Sequence, residues 1–367
     1  MKKKEILVNS GLLIGSLLLT ALLVEVGFAW FSTPLYRRDR YQHYFDVFQW
    51  NRERILFDPV LGFINRPDLD IPFENVEFST HVQTNSWGFR DDEESLENPE
   101  VLLFGDSFGF GWGVEREETA ESLLEKETGK KVLNMSVSGY GTLQEFLLLQ
   151  RFCEVEEATG CEVVILYYLN DRYENRCPPG GMFPAMVKHQ GKIRITEADE
   201  EALWDCVRAN KQQPYTYLCR RSAILDLILS RFFSPRKHWA DRMAIQFMGY
   251  REKNGAGAQE GLDEFKILEY TTRFLLQLCH ERNMNLRFVF LPFYGYYLGD
   301  LPKPYQEEVA ILERLEVPFI NPYEDFSAAN YYDLDGHFNA SGHRELASIL
   351  TDFLGSEPND KEEPAEP

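Results

Sequence analysis

The sequence predicts an α/β protein: a parallel sheet covered by helices on both faces, preceded by one apolar N-terminal helix. Short uncharged runs at Val101–Phe104, Val163–Leu169 and Leu286–Phe290 read as strands buried on both sides. Between them, apolar residues recur at helical spacing, as in Leu143, Phe146, Leu147, Phe152 and Cys153. Strand–helix alternation of this kind requires crossover connections, and these make the strands parallel.

The elements follow in order. Met1-Lys2-Lys3-Lys4 precedes Ile6–Val24, 19 residues without a charge. As a helix this stretch spans about 29 Å, close to the thickness of a bilayer core. The lysines favour a cytoplasmic N-terminus and an exported remainder, against a weaker pull from Arg37, Arg38 and Arg40. Residues 1–31 are therefore expected to be a cytoplasmic tip and a retained signal anchor. Cleavage after Gly27-Phe28-Ala29 is the alternative, although a cleavable apolar region is usually shorter. No Leu-x-x-Cys sequence marks a lipidated cysteine at this end.

Residues 32–97 read as a juxtamembrane segment with turns at Asp58-Pro59 and Arg66-Pro67, and another at Asn85–Arg90. The main domain is expected over 98–355. Thr119 can cap a helix running to Glu127, and Lys131–Asn134 is a second strand. Residues 172–260 break the rhythm with Pro178-Pro179-Gly180-Gly181 and short helical pieces such as Ala223–Arg231, and read as an insertion or cap. A helix at Leu262–Arg282, the strand at Leu286–Phe290, a helix at Tyr305–Leu315, a strand at Val317–Ile320 and a helix at Ala340–Leu354 complete the pattern. The acidic, Pro-containing tail at 356–367 is expected to be disordered.

With 367 residues and a net charge of −21, the chain can bury a large core but would repel nucleic-acid phosphates. Its six cysteines show no metal-ligand spacing. Cys177, Cys206 and Cys219 lie where disulfides would be feasible in an exported domain, whereas Cys153 and Cys279 fall on apolar helical faces.

In an open parallel sheet, ligands bind beyond the carboxyl ends of the strands. Four chemistry-bearing pieces fall there: Ser107 in Gly105-Asp106-Ser107, Ser136–Gly141, Asn170-Asp171, and Asp335-Gly336-His337-Phe338-Asn339. A serine hydroxyl needs a base to become a nucleophile, and imidazole removes its proton near neutral pH. A carboxylate on the other ring nitrogen holds the imidazole and stabilises its cation. The oxyanion of a tetrahedral intermediate needs donors, which the Ser107 amide, the Gly139 amide and the Asn170 side chain can supply. Gly139 and Gly141 can equally serve turn geometry alone. Gly109, Gly111 and Gly113 do not spell a dinucleotide-binding fingerprint. His343 reads as a surface or packing residue, and His43, His81, His189, His238 and His280 lack a motif context. Phe293, Tyr294, Tyr296 and Tyr297 follow the fourth strand and can either stack on sugar rings or pack internally.

These four ordered blocks resemble the SGNH (GDSL-like) hydrolase superfamily over roughly residues 100–355. Gly105-Asp106-Ser107 resembles its first block, Asn134 through Gly139 its second, Asn170-Asp171 its third, and Asp335 with His337 its last. The resemblance implies a flavodoxin-like three-layer α/β/α fold. It also implies ester hydrolysis or acyl transfer through a Ser107–His337–Asp335 triad with oxyanion donors Ser107, Gly139 and Asn170, without metal or cofactor. One block departs: the family places Asp three residues before His, a position held here by Leu334. Asp335 stands two before and Asp333 four before. The shorter D-x-H spacing resembles membrane-associated members linked to polysaccharide O-acetylation, so Asp335 is the expected acid and Asp333 the alternative. The implied partners are an acyl-ester substrate on a glycan, the membrane through the N-terminal helix, and a membrane-bound acyl-transfer protein, with no nucleic acid. Acyl transfer onto a polysaccharide, and an idle binding or assembly role on the same fold, are the competing readings.

Overall fold

The computed structural model describes residues 2–31, 46–75, 77–210, 262–299 and 305–355. Helix α1 (Lys2–Phe31) contains Val8–Gly27, which is long and apolar enough to cross a membrane, with mean hydropathy 1.9. It belongs to one compact unit, and the described residues from Val47 onward belong to the other.

The second unit opens with two antiparallel hairpins, β1 (Ile55–Asp58) with β2 (Gly62–Asn65) and β3 (Asp70–Glu74) with β4 (Ser79–Gln83). The segment that reads in sequence as juxtamembrane is thus packed, from Val47 on, into the same unit as the sheet. The Asn85–Arg90 turn ties it down. The Asn85 side-chain oxygen accepts the N–H groups of Trp87 and Phe89. Gly88 adopts φ +83°, and a Cβ there would lie 2.3 Å from the Asn65 carbonyl oxygen. Arg90, 1% exposed, donates to the carbonyl oxygens of His81, Phe110, Gly111 and Val114. A single buried guanidinium therefore stitches the N-terminal segment to the loop that follows Ser107.

Then come β5 (Val101–Gly105), α2 (Ser107–Phe110), α3 (Ala120–Thr128), β6 (Val132–Asn134), α4 (Thr142–Val155) and β7 (Glu162–Tyr167). They are followed by the hairpin β8 (Ala185–His189) with β9 (Lys192–Thr196), α5 (Glu200–Asn210), α6 (Glu264–Glu281), β10 (Asn285–Phe290), α7 (Gln306–Arg314), β11 (Phe319–Ile320) and α8 (Ala340–Gly355). Five strands form one parallel sheet in the order β11-β10-β7-β5-β6. This is the flavodoxin-like order, with its switch point between β5 and β7.

Alternation along the strands builds two cores. Leu102, Phe104, Leu133, Val163, Ile165 and Phe288 meet Leu149 and Phe152 of α4, Leu268 and Leu275 of α6, and Leu312 of α7. Val101, Leu103, Val132, Val164, Leu166 and Val289 meet Leu124 of α3 and Leu346 and Leu350 of α8. The result is three layers. Boundaries shift where local chemistry intervenes: β7 ends at Tyr167 rather than Leu169, because the Asp171 carboxylate accepts the Tyr168 N–H at 2.8 Å and turns the chain.

The described part of the insertion, 172–210, packs on the β1–β2 hairpin. The Ala198 N–H donates to the Pro59 carbonyl, and Arg52 lies 4.2 Å over the Trp204 ring. Its remainder, including the Ala223–Arg231 piece and Cys219, lies outside the described residues, as do His43, His238 and the 356–367 tail. The disulfide expectation needs a correction for one pair: Cys177 is a buried free thiol, so no bridge joins it to Cys206. Cys153, Cys161 and Cys279 are likewise buried thiols; the large core already supplies the burial that small exported domains obtain from disulfides.

His343 is buried between α8 and α3, where its Nδ1 accepts the Ala120 N–H at 3.2 Å. Burial, with smaller contributions from Arg90 and His337, lowers its pKa to about 3. The folded state thus prefers the neutral ring. The unfolded state takes up a proton below about pH 6.5, so this stabilisation is complete above 6.5 and is lost as pH falls toward 3. His343→Gln, which keeps an acceptor for Ala120, should flatten the acid limb of stability between pH 7 and 4 by about 3 kcal/mol. Denaturant titrations of both proteins between pH 7 and 4 test this; parallel curves would contradict it.

Candidate active site

The site forms where β5 ends. Asp106 leaves the sheet with φ −90° and ψ −142°, and its carboxylate accepts the Phe108 N–H at 2.9 Å, capping α2. Ser107 is the first residue of that short helix and is 9% exposed. The turn is tight because the loop after β6 lies directly behind it. A Cβ on Gly109 would sit 2.3 Å from Ser136 Oγ, and Asn134 Nδ2 donates to the Gly109 carbonyl at 3.0 Å.

The last block approaches from the other side. Ser107 Oγ and His337 Nε2 are 2.7 Å apart. His337 Nδ1 meets Asp335 Oδ1 in a direct hydrogen bond. The Asp335 side chain is wholly buried, and its second oxygen, Oδ2, accepts from Asn75 Nδ2 at 2.8 Å and Trp112 Nε1 at 3.2 Å. Trp112 also stacks on the His337 ring at 4.8 Å and 18°, with Phe108 against the ring at 4.8 Å. Asp333 does not reach the imidazole ring by any hydrogen bond; its Oδ1 accepts from the Tyr294 hydroxyl at 3.4 Å. Of the two carboxylates open in the sequence, the structure places Asp335 on His337. A hydroxyl on an imidazole whose other nitrogen meets a buried carboxylate can pass its proton to that imidazole.

The expected oxyanion donors lie on the neighbouring loops. The Ser107 and Gly139 N–H groups have no acceptor among the described residues. Val137 N–H donates to the Gly105 carbonyl at 3.0 Å, which brings the Gly139 loop against the end of β5. Gly139 adopts φ +85°, and a Cβ there would be 2.7 Å from Gln49 Nε2. Asn170 follows β7 and is half-buried; its Nδ2 donates to Glu174 Oε1 at 2.9 Å.

Behind these donors lies a group of buried carboxyls: Asp106, Glu145, Asp171 and Glu174. Burial, reinforced by their mutual repulsion for the last three, raises all four, with Glu145, Asp171 and Glu174 pushed well above the ordinary carboxylate range. Asp171 accepts from Thr142 Oγ1 and the Tyr168 N–H, which offset part of that rise. Neither Glu145 oxygen has a partner among the described residues.

Tyr294, Tyr296 and Tyr297, open in sequence between sugar stacking and packing, pack internally. Tyr294 stacks on Tyr331, Tyr296 meets Tyr323 edge-on, and the Tyr297 hydroxyl donates to the Tyr323 carbonyl. Phe293 is buried. Sequence reasoning missed Gln49, Asn75, Glu77 and Trp112. The first three come from the segment before residue 98, and nothing in their spacing points to the last block.

No family model matches the chain, and no curated protein matches it. Among solved structures it is similar to a member of the lipolytic protein G-D-S-L family from Veillonella parvula, at 10% identity and TM-score 0.36 over 69% of this chain and 96% of that one. It is also similar to TesA, at 13% identity and TM-score 0.37 over 70% and 97%. A third is Est24, a carbohydrate acetylesterase from Sinorhizobium meliloti, at 11% identity and TM-score 0.31 over 70% and 98%. At these levels the functional reading rests on the geometry.

Gly139 carries a direct test of how closely Gln49 and the loop are fitted. Gly139→Ala should lower stability by about 1–2 kcal/mol through the positive φ and the contact with Gln49. Adding Gln49→Ala should return the steric share but not the backbone share. A double-mutant cycle by denaturation reads the coupling, and strict additivity would contradict the contact.

Proposed function

We propose that the chain is a serine esterase that removes O-acyl groups, O-acetyl foremost, from a cell-envelope or exported glycan. The observation that carries the reading is the continuous hydrogen-bonded path from Ser107 Oγ through His337 to Asp335. In this reading His337 takes the Ser107 proton as Oγ attacks the ester carbonyl, and then gives it to the departing alcohol. Asp335 holds the ring so that Nε2 faces Ser107 and stabilises the imidazolium. The Ser107 and Gly139 amides, with the Asn170 side chain, receive the oxyanion. Water then enters by the reverse path and frees the acid. The glycan ester is supported by the D-x-H spacing and the apolar α1, which would hold the domain at the outer face of a membrane.

Ser107→Ala should cut hydrolysis of an acetyl ester such as p-nitrophenyl acetate by about 10³-fold or more with the fold intact. Labelling by a fluorophosphonate should vanish with it. Unchanged turnover in the purified variant would remove Ser107 from the mechanism. Asp335→Asn should cost on the order of 10³-fold and Asp333→Asn much less; the reverse ranking would move the acid to Asp333. Adding an acceptor glycan to the acyl donor separates hydrolysis from transfer. A hydrolase releases free acid at the same rate with or without it, whereas a transferase acylates the glycan at the expense of free acid.

A further inference from the structure

The two-residue spacing between Asp335 and His337 leaves the acid on a very short turn. Gly336, at φ +83°, makes the bend, and its N–H donates to the Tyr332 carbonyl at 2.9 Å. Asp335 Oδ1 must reach back to the ring two residues on, and it also accepts the His337 N–H at 3.4 Å. Within the turn itself nothing holds Oδ2 or the backbone amides of Leu334 and Asp335.

The tip of the β3–β4 hairpin holds both backbone amides and shares Oδ2 with Trp112 Nε1. Asn75 Nδ2 donates to Asp335 Oδ2, while Asn75 Oδ1 accepts the N–H groups of Glu77 at 2.7 Å and Phe78 at 3.1 Å. The amide orientation of Asn75 is therefore set from both ends. The Glu77 carboxylate accepts the Leu334 N–H at 3.1 Å and the Asp335 N–H at 2.8 Å. The hairpin is itself anchored beside the imidazole. Phe73 meets Trp112 edge-on at 4.7 Å, Phe78 packs on Tyr332 at 5.4 Å, and Thr80 Oγ1 donates to the Val114 carbonyl at 2.7 Å.

We propose that Asn75 and Glu77 are positioning residues of the active site, holding Asp335 in a turn too short to hold itself. The N-terminal segment is then part of the catalytic apparatus rather than a spacer. This inference rests on the esterase reading above. Asn75 aims the carboxylate by fixing Oδ2, so that Oδ1 faces the ring. Glu77 holds the backbone that carries it. Residues of this kind act through another group, and their loss typically costs about 10–100-fold in activity.

The test is a set of variants of the full-length chain in detergent, assayed on p-nitrophenyl acetate. Asn75→Leu and Glu77→Leu should each lower kcat by about 10–100-fold with little change in KM. Glu77→Gln, which keeps an oxygen for both N–H groups, should recover most of that loss. Wild-type kcat in both leucine variants, or an effect on KM alone, would overturn the proposal, as would a Glu77→Gln variant no more active than Glu77→Leu. If Ser107→Ala also kept its activity, the esterase reading itself would fail; loss of activity in Ser107→Ala alone would confine the failure to the hairpin.

Discussion

Burial of the Asp335 carboxylate is the constraint around which this molecule is arranged. A carboxylate taken from water needs a partner for each oxygen, or it protonates and ceases to hold the imidazole. Its side chain is wholly buried here, with one oxygen on His337 and the other on Asn75 and Trp112. Each partner comes from a different part of the chain. Trp112 closes the loop after Ser107, Asn75 tips the N-terminal hairpin, and His337 shares the turn. Satisfying one buried charge therefore ties three segments to one another.

The sheet supplies the frame for this. Its order puts β5 and β7 side by side while their connections leave in opposite directions, and the switch point opens a crevice at their carboxyl ends. Ser107 and Asn170 lie on the two sides of that crevice. The loop after β6 closes its back through Asn134 and Ser136, so closely that only glycine fits at position 109. Arg90 performs a similar service one layer out, joining the carbonyls at Phe110, Gly111 and Val114 to His81 of β4.

A chain of net charge −21 can keep most carboxylates in water, yet Asp106, Glu145, Asp171 and Glu174 are buried behind the oxyanion side of the site. Their raised pKa values follow from burial, with repulsion between neighbouring carboxyls adding to it for all but Asp106. A largely neutral group of acids there places less negative charge beside a developing oxyanion than four carboxylates would. Asn170 stands at the boundary, donating to Glu174 while lying close enough to Asp106 to help hold its carboxyl down.

The five strands of the parallel sheet, the helices that cover it, and the identities of Ser107, His337 and the two competing carboxylates are legible in the sequence. Those features are local. Uncharged runs mark strands buried on both faces, helical spacing marks their crossovers, and the Gly105-Asp106-Ser107 and Asp335-Gly336-His337 turns are each contiguous. Tertiary structure decided what no spacing carries. Asp335 rather than Asp333 meets the imidazole because the direction of a side chain in a turn depends on which groups hold its backbone, here Glu77, some 258 residues away. It also decided that Tyr294, Tyr296 and Tyr297 pack against Tyr331 and Tyr323, and that residues 47–97 belong with the sheet. Hydrogen bonds between distant segments leave no periodicity in sequence, because each needs only one suitable residue at either end. Asn75 and Glu77 could therefore be recognised only once the fold had brought their hairpin to the acid.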